Sequence, residues 1–329
     1  MGFISVMNKT LFLWLFVTIV AASCTFKEDK LPKDSSAAIN TISVIIDDQL
    51  WNGEVGDSIR NKFASPVLGL PQEEPLFSIN QYPVKLFEGF STDSRNILII
   101  KKGNLNNFEL KANEFASPQN AFHISGKTSF EILEILEKES TEMIRKMREL
   151  EIVHNQKTFK DSLLDTQKIQ KKFNINLLIP SKYAYVMRRK NFIWLKSEIT
   201  SGNTSLLIYQ IPWKNIRPDY AVTDIVITRD SIGRAYIHGS DYGTQMVSDE
   251  AYSPYFSKTT LAGNKSYETK GTWQMKNDFM SGPFINYVIF DKAHRRILVL
   301  EGFCYAPSKE KRDLMFELES IIKSIQIKK

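Results

Sequence analysis

Apolar positions recur with a helical period over a long stretch in the middle of the chain. Thr128 and Glu131 form a T-x-x-E capping box at its start. The apolar positions that follow lie at offsets of 0, 4, 11, 15 and 18, which is one face of an α-helix, and they are Ile132, Leu136, Met143, Met147 and Leu150. The pattern predicts a long amphipathic helix over residues 128–153.

Shorter apolar and β-branched runs predict the other elements. Strands are expected at Thr41–Asp47, Asn96–Lys101 and in the NINLLIP run after Phe173, with hairpins pairing Phe192–Thr200 with Ser205–Ile211 and Phe284–Phe290 with Arg296–Tyr305. Helices are expected from Gly56 to Phe63, over Ala221–Ile237, and over the periodic set Leu314, Leu318, Ile321, Ile322 and Ile325. The β-branched residues of Ala221–Ile237 could equally form a strand. A proline-rich loop, with Pro66, Pro71 and Pro75, follows the first helix.

Both halves of the chain therefore follow the order strand, helix, strands, long helix. This order predicts an α+β fold of two similar antiparallel-sheet domains, each with its helices packed on one face, over residues 41–165 and 170–329. The triplets Asp57-Ser58-Ile59 and Asp230-Ser231-Ile232 begin comparable segments, which favours an ancient duplication.

The N-terminus carries the features of an export signal. The uncharged run Leu11–Val20 follows Lys9, and its ten residues are too few for a membrane-spanning helix, which needs about 20. Ala21-Ala22-Ser23-Cys24 resembles a bacterial lipobox, so residues 1–23 are predicted to be a signal peptide and Cys24 the lipidated first residue of the mature chain. A plain secretory signal followed by a chance cysteine is the alternative. Residues 24–40 are polar and predict a flexible tether.

The sequence of the tether also gives a hint of which side of the membrane the protein faces. Lys27-Glu28-Asp29 resembles the acidic signal that sends some Bacteroidota lipoproteins to the cell surface, and an ordinary solvated linker would look the same. The protein is predicted to be held to the outer membrane by a lipid anchor. It could face either the periplasm or the cell surface.

Composition excludes several classes of protein. The 329 residues are 43% hydrophobic and 24% charged, which is typical of a globular protein rather than a disordered or polytopic membrane protein. The only cysteines are Cys24 and Cys304, too few for a disulfide framework, so Cys304 is expected to be a small buried apolar residue. The net charge of +6 is dispersed along the chain, which gives no support to a nucleic-acid partner and leaves contact with anionic glycans or headgroups open.

Motifs for known chemistry are weak. Ala121–Thr128 fits a loose phosphate-loop pattern without its first glycine, and the capping box explains the same residues, so no nucleotide is expected. The four histidines show no metal-ligand spacing, and no catalytic serine or zinc motif occurs, so we expect no metal, no cofactor and no catalytic residue that can be named. A hydrolytic site built from scattered carboxylates stays open.

Residues 239–263 form an aperiodic stretch rich in Gly, Ser, Thr and Tyr. A loop of this length is usually functional or disordered, and its aromatic residues suit adaptable contacts. We therefore expect either a partner-binding loop or a flap packed over the sheet, with the candidate contact residues Tyr242, Tyr252, Tyr255 and Phe256. The three D-S-[IL] triplets resemble O-glycosylation sites of exported Bacteroidota proteins, or are helix N-caps, and their serines are Ser58, Ser162 and Ser231.

Longer segments resemble a family of Bacteroidota lipoproteins defined by a domain of unknown function. The resemblance is carried by residues 51–60 (WNGEVGDSIR), 69–77 (GLPQEEPLF), 95–97 (RNI), 193–195 (IWL), 271–284 (GTWQMKNDFMSGPF) and 300–307 (LEGFCYAP). It covers nearly the whole mature chain and implies an envelope lipoprotein, with no activity to transfer.

The leading hypothesis is a non-enzymatic binding or assembly module of the envelope, held to the membrane by its lipid, with an envelope protein or a glycan as possible partner. Candidate contact surfaces are the tyrosine-rich stretch and the regions of Trp51 and Trp273. The alternatives are an envelope hydrolase acting on glycan or lipid, and a protein that binds a small hydrophobic ligand between sheet and helices. An apolar internal pocket would favour the last.

Overall fold

The structure, a computed structural model, describes residues 33–87 and 92–328. The predicted signal peptide, Cys24 and most of the predicted tether lie outside the described residues. From Asp34 onward the chain forms one compact unit.

The strands of the first half are β1 (Lys33–Asp34), β2 (Thr41–Ile46), β3 (Ser78–Tyr82), β4 (Asn96–Lys102), β5 (Asn107–Ala112), β6 (Ala116–Ser117) and β7 (Asn120–Gly126). Those of the second half are β8 (Ile175–Asn176), β9 (Ala184–Arg189), β10 (Phe192–Ile199), β11 (Gly202–Ile211), β12 (Gln245–Ser248), β13 (Tyr255–Leu261), β14 (Asn264–Lys276), β15 (Ser281–Asp291), β16 (Arg296–Tyr305) and β17 (Gln326–Ile327). The α-helices are α1 (Asp48–Trp51), α2 (Glu54–Phe63), α3 (Ser129–Phe159), α4 (Gln167–Phe173), α5 (Ala221–Tyr236) and α6 (Arg312–Lys323). The predicted α+β class, with extensive antiparallel pairing, is confirmed.

The N-terminal sheet has five strands in the order β3-β2-β4-β7-β5. β2 runs parallel to both β3 and β4, β4 runs parallel to β7, and only β5 is antiparallel to its neighbour. The expectation of an antiparallel sheet is therefore wrong for this half. The reason is that α1 and α2 form a crossover after β2, which returns the chain to the same edge and lets β3 run in the same direction.

Helices cover one face of this sheet, as predicted. The buried residues of α2 and α3 pack on β2, β4 and β7 around Val44, Leu98 and Phe122. The opposite face is covered by partly buried aromatic side chains on Ile45 and Ile97. Because both faces are covered, every residue of β2 is buried.

The C-terminal sheet has eight strands, all antiparallel, in the order β12-β14-β15-β16-β11-β10-β9, with β13 also paired to β14. Both predicted hairpins are present. Its helices lie on both faces, so the expectation of helices on one face is wrong here. Successive residues of β15 point to opposite faces and both sets are apolar: Ile285 packs with α6, and Val288 packs on the α5 side.

The two sheets thus differ in strand direction and in helix coverage, and they are not two similar domains. The triplets that suggested a duplication also differ in position, since Asp57 lies in the first turn of α2 and Asp230 lies in the middle of α5.

The predicted helices exist with altered bounds. α3 begins at the predicted capping box, in which Thr128 accepts from the Glu131 amide, and it continues to Phe159. The ambiguous segment 221–237 is a helix. The interpretation of residues 239–263 as one loop is wrong, because strands β12 and β13 lie within it.

α6 joins the two halves, because it lies between the C-terminal sheet and α3. Leu318 and Ile322 pack into the sheet, while the Gln156 amide of α3 donates to the Ser320 carbonyl at 3.0 Å. Within residues 33–87 and 92–328, no helix has the length and apolarity needed to cross a membrane.

Candidate functional site

A loop from the N-terminal half reaches the C-terminal sheet. Pro66 and Pro75 form a β-bridge at its base, and the Val67 amide donates to the Glu74 carbonyl at 2.9 Å, so we call this segment the Pro66–Pro75 loop. Gly69 lies at its tip with φ +86°, and a Cβ there would stand 2.9 Å from the Lys270 Cβ. Glycine is therefore required both by the backbone conformation and by the close approach to β14.

Glu74 fastens the base of this loop to α6. Its buried carboxylate accepts from the amide of Lys311 at 2.8 Å and from the amide of Arg312 at 2.7 Å. These are unpaired donors at the start of α6, where a negative charge is also favoured by the helix dipole. A carboxylate from the first half thus caps a helix of the second half.

An apolar cavity of about 260 Å³ lies beneath the loop, and we call it the inner cavity. Apolar side chains from the loop, from α6 and from β15 form most of its wall: Leu68, Leu70, Leu76, Pro283, Phe284, Ile285, Met315 and Phe316. The charged side chains on its wall are Arg148, Lys270, Arg312 and Glu319. Pockets with apolar walls and a few placed polar groups, located where parts of a fold meet, are the usual form of a small-molecule site.

The charges on the inner cavity are arranged around Glu319. Arg148 donates to its carboxylate at 2.7 Å and also lies 5.0 Å from the centroid of the Phe316 ring. Burial raises the pKa of Glu319, but Arg148, Lys270 and Lys323 outweigh burial and hold this pKa well below its usual range. Glu319 is therefore a fixed anion among cations, and it cannot serve as a proton donor near neutral pH.

A second cavity of about 490 Å³, the outer cavity, lies on the other side of the same loop. It shares residues 66–70 with the inner cavity and is bounded by residues 251–253, Tyr255 and the part of β14 at Gly271 and Thr272. The two cavities together make the strip along the Pro66–Pro75 loop the candidate site.

The tyrosine-rich stretch is divided between different surfaces. Tyr252 and Tyr255 line the outer cavity. Tyr242 lies on a separate turn and is 106% exposed, while Phe256 packs on the Tyr267 ring at 5.1 Å, on the α5 face of the sheet. The structure therefore brings together two of the four predicted contact residues.

The two tryptophan regions also differ. Trp51 is half-buried and stacks with Arg60 at 4.5 Å. Trp273 is 1% exposed and donates from its indole N–H to the Cys304 carbonyl, so the prediction of a contact surface at Trp273 is wrong. Cys304 is buried and unpaired, as predicted, and burial raises the pKa of its thiol to about 12.

The three candidate glycosylation serines lie in different environments. Ser58 is half-buried within α2, and Ser231 is exposed within α5, where its hydroxyl donates to the Ile227 carbonyl. Ser162 is exposed just beyond α3, with its hydroxyl 2.7 Å from that of Ser181. None of the three is a helix N-cap, because α2 and α5 begin earlier and Ser162 follows the end of α3. Their modification stays a prediction.

The residues that resemble a phosphate loop are not a loop. Ala121–Gly126 belong to β7 and pair with β4 and β5, so their amides are used in the sheet and cannot wrap a phosphate. In the described part of the chain, no group of three or more His, Cys, Asp or Glu side chains is placed to hold a metal ion.

The carboxylates of the outer cavity are Glu73 and Asp249. Asp249 accepts from the Ala251 amide at 2.9 Å and from the Thr272 hydroxyl at 3.2 Å, which is the pattern of a turn-stabilising side chain. No histidine lines either cavity.

Two family matches cover most of the chain. Residues 35–160 match the family described as Domain of unknown function (DUF8532), and residues 162–324 match the family described as Domain of unknown function (DUF4837). The sequence analysis predicted one such family over the mature chain. Two successive domains of unknown function therefore cover the chain, which is consistent with a family defined in that way.

Comparison with other proteins gives little more. No curated protein matches this chain. Among solved structures, the "Crystal structure of LpqN involved in cell envelope biogenesis of Mycobacterium tuberculosis" is similar at 11% sequence identity, over 47% of this chain and 83% of that chain, with a TM-score of 0.29.

Proposed function

We propose that this protein is a lipid-anchored, non-enzymatic binding protein of the bacterial cell envelope, and that its inner cavity takes a small amphipathic molecule. The ligand would place an apolar chain against Leu68, Met315 and Phe316 and a short polar or anionic end near Arg148 and Lys270. The observation that carries the proposal is the apolar cavity under the Pro66–Pro75 loop, with cationic side chains on its wall.

The charges support an amphipathic ligand rather than a purely apolar one. Three cations and one anion line the cavity, and the anion is already paired with Arg148. Among the described residues, Lys270 forms its ion pair with Glu268, at 3.1 Å, and its side chain is partly exposed, so it is available to a ligand headgroup. Burial of an apolar chain contributes about 0.8 kcal/mol per CH₂, which makes a fatty-acid-sized chain a sufficient ligand.

The envelope location rests on the sequence. The lipobox-like run ending at Cys24 and the motifs that resemble Bacteroidota lipoproteins support a diacylglycerol anchor in the outer membrane. Metabolic labelling with palmitate should mark the wild-type chain and not Cys24→Ala. Protease shaving of intact cells would then tell which side of the membrane the domains face.

The cavity is tested by fluorescence titration with 11-(dansylamino)undecanoic acid. Leu68 lines the cavity but is 55% exposed, so Leu68→Trp should fill the cavity without disturbing the core. We expect saturable enhancement with the wild-type chain and at least a tenfold weaker apparent affinity for the variant.

Leu163→Trp is the matched control, because Leu163 is also an exposed leucine and lines neither cavity. It should bind the probe as the wild type does. Equal binding by all three chains, or no saturable binding by the wild type, would exclude the inner cavity as the site.

The alternative, that the protein is an envelope hydrolase, can be tested at one carboxylate. Asp249 is the carboxylate of the outer cavity nearest to the exposed tyrosines in sequence. Loss of a measured glycan- or lipid-hydrolysing activity in Asp249→Asn, with the fold retained, would favour this alternative over a binding protein.

A further inference from the structure

Lysines and exposed apolar side chains meet at one end of the N-terminal sheet. Because β4 and β7 are parallel and adjacent, their carboxyl ends lie at the same edge. Lys101 and Lys102 end β4, and Lys127 follows β7. All three lysines are exposed, and none forms an ion pair with another described residue.

Two large apolar side chains project from the same edge. Leu105, in the loop after β4, is 74% exposed, and Phe130, in the first turn of α3, is 67% exposed. Hydrogen bonds hold this loop beside β7 and the start of α3, since Ser125 donates to the Leu105 carbonyl at 3.0 Å and the Lys127 amide donates to the Asn106 side chain at 3.4 Å. We call Lys101, Lys102, Leu105, Lys127 and Phe130 the Leu105–Phe130 patch.

The acidic groups near the patch leave it positive. Glu131 and the exposed Glu134 are the carboxylates of the first two turns of α3, and Glu131 accepts from the Thr128 amide at 2.9 Å in the capping box. Asp47 and Asp48 follow the neighbouring strand β2 and limit the positive area to the β4–β7 side of the edge.

We propose that the Leu105–Phe130 patch is a membrane-docking face, which inserts Leu105 and Phe130 into the interface of a bilayer containing anionic lipids while the three lysines contact its headgroups. The proposal goes beyond the proposed anchor at Cys24, because it is a second, non-covalent contact formed by the folded domain. A basic patch beside exposed apolar side chains is a membrane-binding signal that acts in addition to acyl chains, and here it would hold the folded domain itself against the bilayer.

A bilayer suits the patch better than a protein partner does. The two apolar side chains lie on separate elements, they are 74% and 67% exposed, and they line neither the inner nor the outer cavity. A fluid interface needs no such shape, and lysines beside apolar residues extend their charged ends to the headgroups.

The test places an environment-sensitive label on the patch in the full chain without its lipid. In Cys24→Ala, the added cysteine of Phe130→Cys can be labelled with NBD under native conditions, because the remaining thiol of Cys304 is buried. We expect the NBD emission to rise severalfold with vesicles of phosphatidylcholine containing 30% phosphatidylglycerol, and little with phosphatidylcholine alone. Because Cys24 is replaced in every sample, failure of the proposed anchor would not affect the result.

Phe279→Cys is the matched control, since Phe279 is 104% exposed in the turn between β14 and β15. Its NBD label should not respond. Lys101→Gln/Lys102→Gln/Lys127→Gln should shift the lipid concentration at half-response on the order of a hundredfold, at about fivefold per lysine. Lys258→Gln/Lys276→Gln/Lys309→Gln removes the same charge from exposed lysines elsewhere and should leave it within twofold.

Any one of several results would overturn the proposal. They are no response at position 130 to anionic vesicles, an equal response at position 279, and a triple patch variant that binds as the control triple does. A response at position 130 to heparin but not to vesicles would assign the patch to a soluble polyanion and would also overturn it.

Discussion

Each half of the molecule contains a buried arginine–glutamate pair that joins a helix to a sheet, but the two pairs have different partners. In the first half, Arg95 beside β4 contacts Glu151 of α3 at 3.1 Å and also donates to the Ala38 carbonyl at 2.9 Å. Glu151 in turn accepts from the Asn40 amide at 3.3 Å. This pair therefore fixes the backbone of the segment that leads into β2.

The pair of the second half is held by side chains alone. Arg229 of α5 donates to Glu301 of β16 at 2.8 and 2.9 Å, and its guanidinium lies 3.4 Å from the centroid of the Phe284 ring. Asn286 donates to the same carboxylate at 2.7 Å. A buried ion pair can thus hydrogen-bond to backbone groups, as Arg95 and Glu151 do, or only to other side chains, as Arg229 and Glu301 do.

Breaking either ion pair should cause the largest loss of stability. Glu301→Ala and Glu151→Ala each leave a buried guanidinium without its partner, which costs about 3–5 kcal/mol. Urea denaturation should show this loss in the free energy of unfolding for both variants. A loss below about 1 kcal/mol in either would mean that water reaches the remaining arginine.

Replacing both members of a pair should affect the free energy of unfolding differently in the two regions. Arg229→Met/Asn286→Leu/Glu301→Leu should recover to within about 1 kcal/mol of the wild type, because it removes the Asn286 amide together with the pair, and the Ser248 hydroxyl keeps its contact with Asp230. Arg95→Met/Glu151→Leu should stay at least ~2 kcal/mol less stable, since it leaves the Ala38 carbonyl and the Asn40 amide without partners. Equal recovery of these two variants by the same denaturation measurement would contradict this distinction.

The contact between the halves should be weaker than either pair. Glu74→Ala removes the carboxylate that caps α6 and should cost about 1–2 kcal/mol of unfolding free energy. Glu73→Ala is the matched control, because Glu73 is exposed and adjacent. The thermal midpoint should fall for Glu74→Ala and stay unchanged for Glu73→Ala. An equal fall in both variants would contradict a stabilising role of Glu74 as the cap of α6.

Glu319 offers the smallest and most pH-specific test. Its pKa is held below the ordinary value by Arg148, Lys270 and Lys323 despite burial, so the ionised form stabilises the fold above the pKa that Glu319 has in the unfolded chain. This stabilisation is lost as pH falls through the lowered folded pKa, that is, below about 4.3. Stability measured from pH 6 to pH 2.5 should fall less steeply for Glu319→Gln than for the wild type. Parallel curves would contradict the lowered pKa.

Local signals in the sequence were sufficient for several elements. The period of α3 and its capping box depend on residues within a few positions of one another, and both were predicted. The parallel strands could have been predicted as well, because β2 and β4 contain runs of consecutive apolar residues, Val44–Ile46 and Ile97–Ile100, which is typical of strands buried on both faces. β13 gave a weaker signal, since it is an edge strand with mostly polar, exposed residues.

The candidate site could not be predicted in the same way. Gly69 contacts Lys270 and Glu74 caps α6 across more than 200 residues of chain, so no local pattern contains either contact. The proline-rich composition predicted a loop at residues 66–75, but its position over β14 depends on the packing of both halves. Burial of Glu74 beside exposed Glu73 is likewise invisible in the sequence.

The claim that the inner cavity is a ligand site is tested most directly by NMR of the chain labelled with ¹³C at the methionine methyl groups. Met315 lines the cavity, whereas Met143 and Met246 lie in other parts of the core. Titration with dodecanoate should shift the Met315 methyl signal, assigned with Met315→Leu, and leave the other two in place. An unchanged Met315 signal, or equal shifts at all three, would contradict the proposed site.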